Sequence, residues 1–152
     1  MKILIDADAA PNPVKEIVFR AAERVRVEVI LVANHALRTP PSKYVRAVQV
    51  ESGFDVADNY IVQAAEPDDI VITQDIPLAA ELMEKGVVAM TPRGEVYTRD
   101  SVRQRLVMRD FMEEMRSGGV LHGGGPAPFG IKEKQAFANA LDRLLAQAAK
   151  GS

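Results

Sequence analysis

The sequence predicts an α/β fold, a three-layer α/β/α sandwich around a mostly parallel sheet of about five strands. Short apolar runs alternate along the chain with stretches whose apolar residues recur at helical spacing. Several of the runs are nearly continuous in Val, Ile and Leu, as strands covered on both faces are. Proline and glycine fall mostly between the segments.

Taken in order, Lys2–Ile5 is the first strand. Pro11 and Pro13 punctuate, and Val14, Ile17, Val18, Ala21, Ala22 and Val25 then form one stripe of a helix. Val27–Ala33 is a second strand, followed by the polar loop NHALRTPPS. Tyr44–Val50 is a third strand with some alternation, and after the turn ESGF the segment Asp55–Ala65 is helical. Asp69–Thr73 is the fourth strand, and Ile76–Lys85 is a helix stopped by Gly86. Val87–Met90 is a short fifth strand leading into the turn TPRGE. Thr98–Arg116 is a longer helix with Thr98 as its N-cap and with Met108, Met112 and Met115 as core-facing packing. Residues 118–130 read as a flexible glycine-rich loop, and residues 131–149 as an amphipathic C-terminal helix. No internal repeat is visible, and 1–152 reads as one domain.

Composition narrows the chemistry. A chain of 152 residues, 47% hydrophobic and 26% charged, has enough apolar content for a single packed core. There is no cysteine, which excludes disulfides, thiolate nucleophiles and Cys-based zinc or iron–sulfur sites. The apolar start is too short for a signal peptide and is broken by Asp6 and Asp8, and no stretch approaches the roughly 18 apolar residues of a membrane span. A cytoplasmic protein that spans no membrane is the expectation, with oligomeric state open and a homodimer among the options.

A net charge of −2 argues against non-specific coating of nucleic acid, but not against a local grip on a phosphate backbone. Charge is also segregated. Val29–Val50 has no acid, but carries His35, Arg38, Lys43 and Arg46. Ala47–Glu84 has no Lys or Arg, and carries Glu51, Asp55, Asp58, Glu66, Asp68, Asp69, Asp75, Glu81 and Glu84. Such blocks are unusual for a merely solvated surface.

In an open parallel sheet, ligands bind outside the carboxyl ends of the strands. Asp6 follows the first strand, Asn34 the second and Asp75 the fourth, while Asp55 and Asp58 open the helix between the third and fourth. Residues far apart in sequence can therefore converge on one rim, and most are acids. Carboxylates without histidine or cysteine suit a hard cation, Mg²⁺ or Mn²⁺, and metal-assisted phosphodiester hydrolysis is the chemistry such a site performs. Each acid also has a structural reading. Asp55 and Asp75 sit where helix N-caps sit, Asp58 in a first turn, and Asp6 and Asp8 before a helix.

The motifs DADAAPNPVKEIVFRAAER, LVAN, GFDVADN, VITQDIPLAAE, TPRGE, MRDFMEEMR and QAFANALDR occur here in this order over nearly the whole chain. In them the sequence resembles the bacterial YaiI/YqxD family, which looks like a member of the PIN-like group of α/β/α nucleases. The resemblance implies an aspartate after the first strand (Asp6), mid-chain acids (Asp58 or Asp55) and an aspartate in a T-x-D element (Asp75). In PIN-like enzymes such acids hold Mg²⁺ or Mn²⁺ and RNA is cut. The family commonly reads DADACP at its start. Ala10 stands here in the cysteine position, so the aspartates alone must carry any chemistry. Asp110 in MRDFM is a candidate for a fourth acid, with pairing to a neighbouring arginine as its other reading.

Expected nucleic-acid contacts are Asn34, Arg38, Lys43, Arg46, Arg93 and Arg109, with Tyr44 stacking a base and Arg105 extending the basic surface. The alternative for these is an ordinary solvated surface, with Arg93 paired to Glu95. His35 and His122 lack metal-ligand spacing and are set aside. The glycine-rich loop lacks the Lys-Ser/Thr of a P-loop. The expected function is a metal-dependent nuclease, more specifically a ribonuclease, with Asp6, Asp58 and Asp75 on the cation and Asp8 and Asp55 beside it. The alternatives are a nucleic-acid-binding or regulatory protein without turnover and a small phosphohydrolase acting on nucleotides.

Overall fold

The computed structural model describes residues 1–53, 55–117 and 129–150. Strands Lys2–Asp6 (β1), Glu28–Ala33 (β2), Val45–Gln49 (β3), Ile70–Ile72 (β4) and Val88–Met90 (β5) form one sheet in the order β3-β2-β1-β4-β5. All four neighbouring pairs are parallel. The helices are Asn12–Val25 (α1), Val56–Ala64 (α2), Ile76–Glu84 (α3), Arg99–Ser117 (α4) and Ile131–Lys150 (α5). No helix among the described residues is long and apolar enough to cross a membrane.

Strand periodicity builds the three layers. Successive side chains of a strand point to opposite faces, so each central strand supplies two cores. Ile3 and Ile5 of β1 pack with Val14, Val18 and Ala21 of α1 and with Phe137 and Leu141 of α5. Leu4, between them, packs on the other face with Ile61 of α2, Leu78 and Leu82 of α3 and Val102 of α4. β4 divides likewise, with Ile70 and Ile72 on the α1/α5 face and Val71 on the α2/α3 face. The double burial explains the near-continuous apolar runs.

The same alternation aims the residues that follow. Asp6 continues the face of Leu4, and Thr73 that of Val71, so both turn toward α2 and α3. The sheet order shows where a crevice can form. The chain runs outward from β1 through β2 to β3, then returns to the far side of β1 for β4. The reversal lies between β1 and β4, and its carboxyl-end side is where open α/β sheets hold ligands.

Local signals account for the element ends. Pro13 and Pro77 sit in the first turns of α1 and α3, where a missing N–H costs nothing. Thr98 caps α4 reciprocally. The Ser101 N–H donates to Thr98 Oγ1 at 3.0 Å, and the Thr98 N–H to Ser101 Oγ at 2.8 Å. The flexible-loop reading of 118–130 falls outside the described residues except for Phe129, which packs against the α1/α5 core, and Gly130. The methionine expectation for α4 needs correcting. Met108 is 58% exposed, and Val107 and Phe111 are also exposed. None of residues 107–117 is buried, because this half of α4 runs past the body that covers Val102.

Two contacts hold the frame beneath the crevice. At the amino end of the sheet, Asp69 is buried and accepts from the Lys2 backbone at 3.0 Å, Lys2 Nζ at 2.7 Å and the Glu66 N–H at 2.8 Å. At the carboxyl end, the turn after β5 rests on α5. Gly94 has φ +90°, and a Cβ there would lie 2.5 Å from the Ala136 carbonyl oxygen.

Asp69→Ala strips a half-buried cation and two N–H groups of their acceptor and is expected to cost about 2–3 kcal/mol, read by urea denaturation. Gly94→Ala meets both a left-handed backbone and a backbone clash. It is expected to cost about 2–4 kcal/mol in the same assay.

Candidate functional site

A short hydrogen-bonded chain joins the two central strands at the reversal. The Asp75 N–H donates to Thr73 Oγ1 at 3.0 Å, and Thr73 Oγ1 donates to Asp6 Oδ2 at 3.1 Å. Gln74 Nε2 donates to the Ala9 carbonyl at 2.9 Å, tying the same turn to the segment after β1. From the far side, Tyr97 Oη donates to the Thr73 carbonyl at 3.0 Å. Thr73 is thus buried and fully engaged, which fixes the T-x-D turn relative to Asp6.

The capping reading of Asp75 holds, since its Oδ1 accepts from the Leu78 N–H at 2.9 Å. It is not the whole account. The Asp75 carboxylate also lies beside that of Asp58, which projects from the first turn of α2. Asp58 is driven up from 3.8 to about 7, first by burial, then by the charge of Asp75 and its hydrogen bond, with Asp6 and Asp55 adding repulsion. A helix N-terminus would pull the other way, but that effect is small, about 0.3–1 kcal/mol at a surface. Burial and the neighbouring carboxylate win. Asp6 is also raised, mainly by burial, against the Thr73 hydrogen bond and with help from Asp75 and Asp8. Negative charge is therefore concentrated beyond what the site tolerates fully ionised.

Asp58 and Asp75 open onto a cleft of about 360 Å³, lined also by Asp55, Asn59, Gln74, Glu81 and, from across it, Arg109 of α4. Asp55 is part of this lining. It occupies the N-cap position of α2 but makes no side-chain capping bond, and its backbone is left-handed at φ 65°. A non-glycine residue held in that region costs of order 1–3 kcal/mol, and such residues gather at functional sites.

The other sequence candidates separate by position. Asp8 turns toward β2, 2.9 Å from His35 Nδ1, and accepts from the Asn34 N–H at 3.1 Å. Asn34 is exposed on that same side, and Arg38 is exposed in the loop beyond it. Lys43 and Arg46 are not at the rim. The register sets Arg46 level with Ile30, two residues short of the level of Asp6, and Lys43 precedes β3 altogether. Arg46 pairs with Glu28 at 3.1 Å, and Lys43 lies 5.2 Å from the Tyr44 ring. The loop from β2 descends the whole sheet before β3 begins, so its basic residues end up at the amino edge.

Arg93 pairs with Glu133 at 3.6 Å, whereas Glu95 pairs with Arg105. Arg93 and Arg105 line a small notch beside the acidic cleft, sharing Gln74 and Ile76 with it. Asp110 is exposed on α4 and does not line the cleft. Sequence reasoning missed Glu81 and Asn59. Asn59 adjoins the GFDVADN acids and could have been found there, but Glu81 is an ordinary helical glutamate with no distinguishing signal.

Among the described residues, no group of three or more His, Asp or Glu side chains closes into a ready-made metal cage. The donor set is nevertheless all oxygen. Two carboxylates are in contact, a third is one threonine away, and a cleft is left for water and substrate. That chemistry fits a hard divalent cation that keeps part of its hydration.

Residues 4–147 match the family described as Uncharacterized BCR, YaiI/YqxD family. The UPF0178 protein of Hahella chejuensis is 61% identical over 150 residues, covering 99% of each chain. That of Shewanella sp. strain ANA-3 is 61% identical over 144 residues, 95% of each chain. That of Saccharophagus degradans is 56% identical over 152 residues and covers both chains completely. No solved structure matches the chain. With the family match spanning nearly the full length and identity this high over whole chains, the protein belongs to the YaiI/YqxD family.

Proposed function

We propose that the protein is a metal-dependent phosphodiesterase, a ribonuclease of PIN-like type acting in the cytoplasm. The observation that carries this reading is the convergence of Asp6, Asp58 and Asp75, from three separate elements, at the sheet's reversal point, with Arg109 lining the same cleft as Asp58 and Asp75. Asp6, Asp58 and Asp75 would hold Mg²⁺ or Mn²⁺, with Asp55 in the lining of the cleft. Asp8, occupied by His35 and Asn34, orients the β2 side instead. When bound, such a cation supplies charge neutralisation for a phosphodiester and a more acidic water.

The chain's own residues do the rest. Arg109 is placed to take a non-bridging phosphate oxygen across the cleft, where a planar guanidinium can bind two at once. Thr73 fixes Asp6, and the Leu78 N–H fixes one oxygen of Asp75. Protonation and cation binding relieve the same repulsion, so they compete for Asp58.

Purified protein is expected to cut single-stranded RNA in the presence of Mn²⁺. Asp6→Asn and Asp75→Asn should each lower the rate on the order of 100-fold or more, as loss of a charge-stabilising group does. Asparagine caps helices as well as aspartate, so Asp75→Asn should keep its thermal midpoint within a few degrees. Parent-like activity in both variants would end the reading. RNA binding without Mn²⁺-dependent cleavage in the parent would make the protein a binding module on this scaffold.

Without metal, Asp58 couples stability to pH. Its folded-state value is raised, so its stabilisation is full below 3.8 and is lost as pH rises through about 7. In EDTA, Asp58→Asn should therefore raise Tm by a few degrees above neutral pH and flatten the fall in Tm between about pH 4 and about pH 7. The same substitution should abolish the Tm gain that Mn²⁺ gives the parent protein. Thermal melts across pH, with and without Mn²⁺, decide both points.

A further inference from the structure

The overhanging half of α4 carries a feature that the carboxylate site does not use. Arg105, Arg109 and Arg116 lie within a narrow arc of the helix, since their spacings of four and seven residues bring each nearly back to the same azimuth. Asp110 and Glu114 fall well off that arc. The stripe borders a groove of about 450 Å³ floored by Ile76, Met108 and Met112, with Glu113 as its only acid among the described lining residues. Ile76 and Arg109 line both this groove and the acidic cleft, so the two are continuous.

The cations are not committed alike. Arg105 is held by Glu95 and lies 5.3 Å from the Tyr97 ring. Arg109 and Arg116 are exposed and make no ion pair with the described residues. From Arg105 to Arg116 the helix rises about 16 Å, too far for one phosphate group and suited to several phosphates of one strand. The apolar floor, with Met108 58% exposed, offers soft surface to unstacked base faces.

Resting on the nuclease reading, we infer that this α4 groove is the track along which a single strand of RNA leaves the carboxylate site. Charge complementarity selects a polyanion. The methionine floor favours a strand with free base faces over a duplex, whose bases are stacked inside. The occupant's backbone runs from Arg109, at the cleft, toward Arg116 at the far end of the helix. The reading gives the enzyme a length requirement that the cleft alone would not have.

The test is binding, measured in EDTA by fluorescence anisotropy on the full chain, so that no turnover is involved. The parent is expected to bind a single-stranded RNA of about 12 nucleotides at least about tenfold more tightly than one of about 3 nucleotides. Arg116→Gln should weaken the longer strand about three- to fivefold and lower the slope of log affinity against log salt by about 0.7, the loss of one phosphate contact. Arg109→Gln combined with Arg116→Gln should lower that slope by about 1.4. Arg20→Gln, an exposed arginine of α1 on the opposite layer, should change neither. Equal affinity for a duplex of the same length, or an unchanged salt slope in the double variant, would overturn the track. Mn²⁺-dependent cleavage is scored separately, so loss of the nuclease reading and loss of the track are told apart.

Discussion

The hydrogen bond from Thr73 to Asp6 is the contact around which the rest of the candidate site is arranged. It spans the reversal point of the sheet, where two parallel strands diverge into different layers of helix. β1 and β4 are covered on both faces, so their positions are set by packing and their ends are as rigid as the core. Asp6 and Thr73 are the first polar residues past that core, and they keep the alternation of the strands beneath them. The turn 73–75 is then held from three directions: by Asp6, by Ala9 through Gln74, and by Tyr97 through the Thr73 carbonyl. A carboxylate carried on such a turn cannot move away from its neighbour. Burial first, and then the charge of the fixed Asp75, push Asp58 up to about 7.

This rigidity bears on the choice between cap and ligand for Asp75. One oxygen closes the first turn of α3, which is worth about 1 kcal/mol on its own. A cap facing water would deliver that gain without the repulsion. Here the cap is set against a second, partly buried aspartate, and Asp55 beside it is held in a left-handed conformation. The structural roles are real but do not account for acids crowded together, and the proposed cation would.

Much of this was legible in the sequence, for physical reasons that differ by element. The strands announced themselves because double burial demands unbroken apolar runs. The chain order of the acids then followed from the general geometry of parallel sheets, so Asp6, Asp58 and Asp75 could be grouped before any coordinates. Lys43 and Arg46 were misplaced because a loop's composition does not say how far along the sheet it travels before the next strand begins. Met108 was misread because helical periodicity reports which residues share a face, not whether the helix still has a body beneath it. Arg109 was found as a surface cation, but its place at the cleft depends on how α4 crosses α3, and Glu81 had no local pattern at all.

The overhang of α4 links these points. A helix that ended with the body would have buried Val102 and Leu106 and stopped, and nothing would face the acids from across the cleft. Extending it brings Arg109 to the cleft that Asp58 and Asp75 line and leaves Arg116, which makes no ion pair with the described residues, beyond it. Acids alone would repel a phosphodiester, and arginines alone would hold one with no chemistry at hand. They lie side by side here, with one arginine common to both surfaces. On the proposed reading, the carboxylates would supply a place for a cation, and the helix the attraction that brings a polyanion to a negatively charged site. In a chain with a net charge of −2, such an attraction would have to be local, and Arg109 of α4 is the cation that lines the acidic cleft itself.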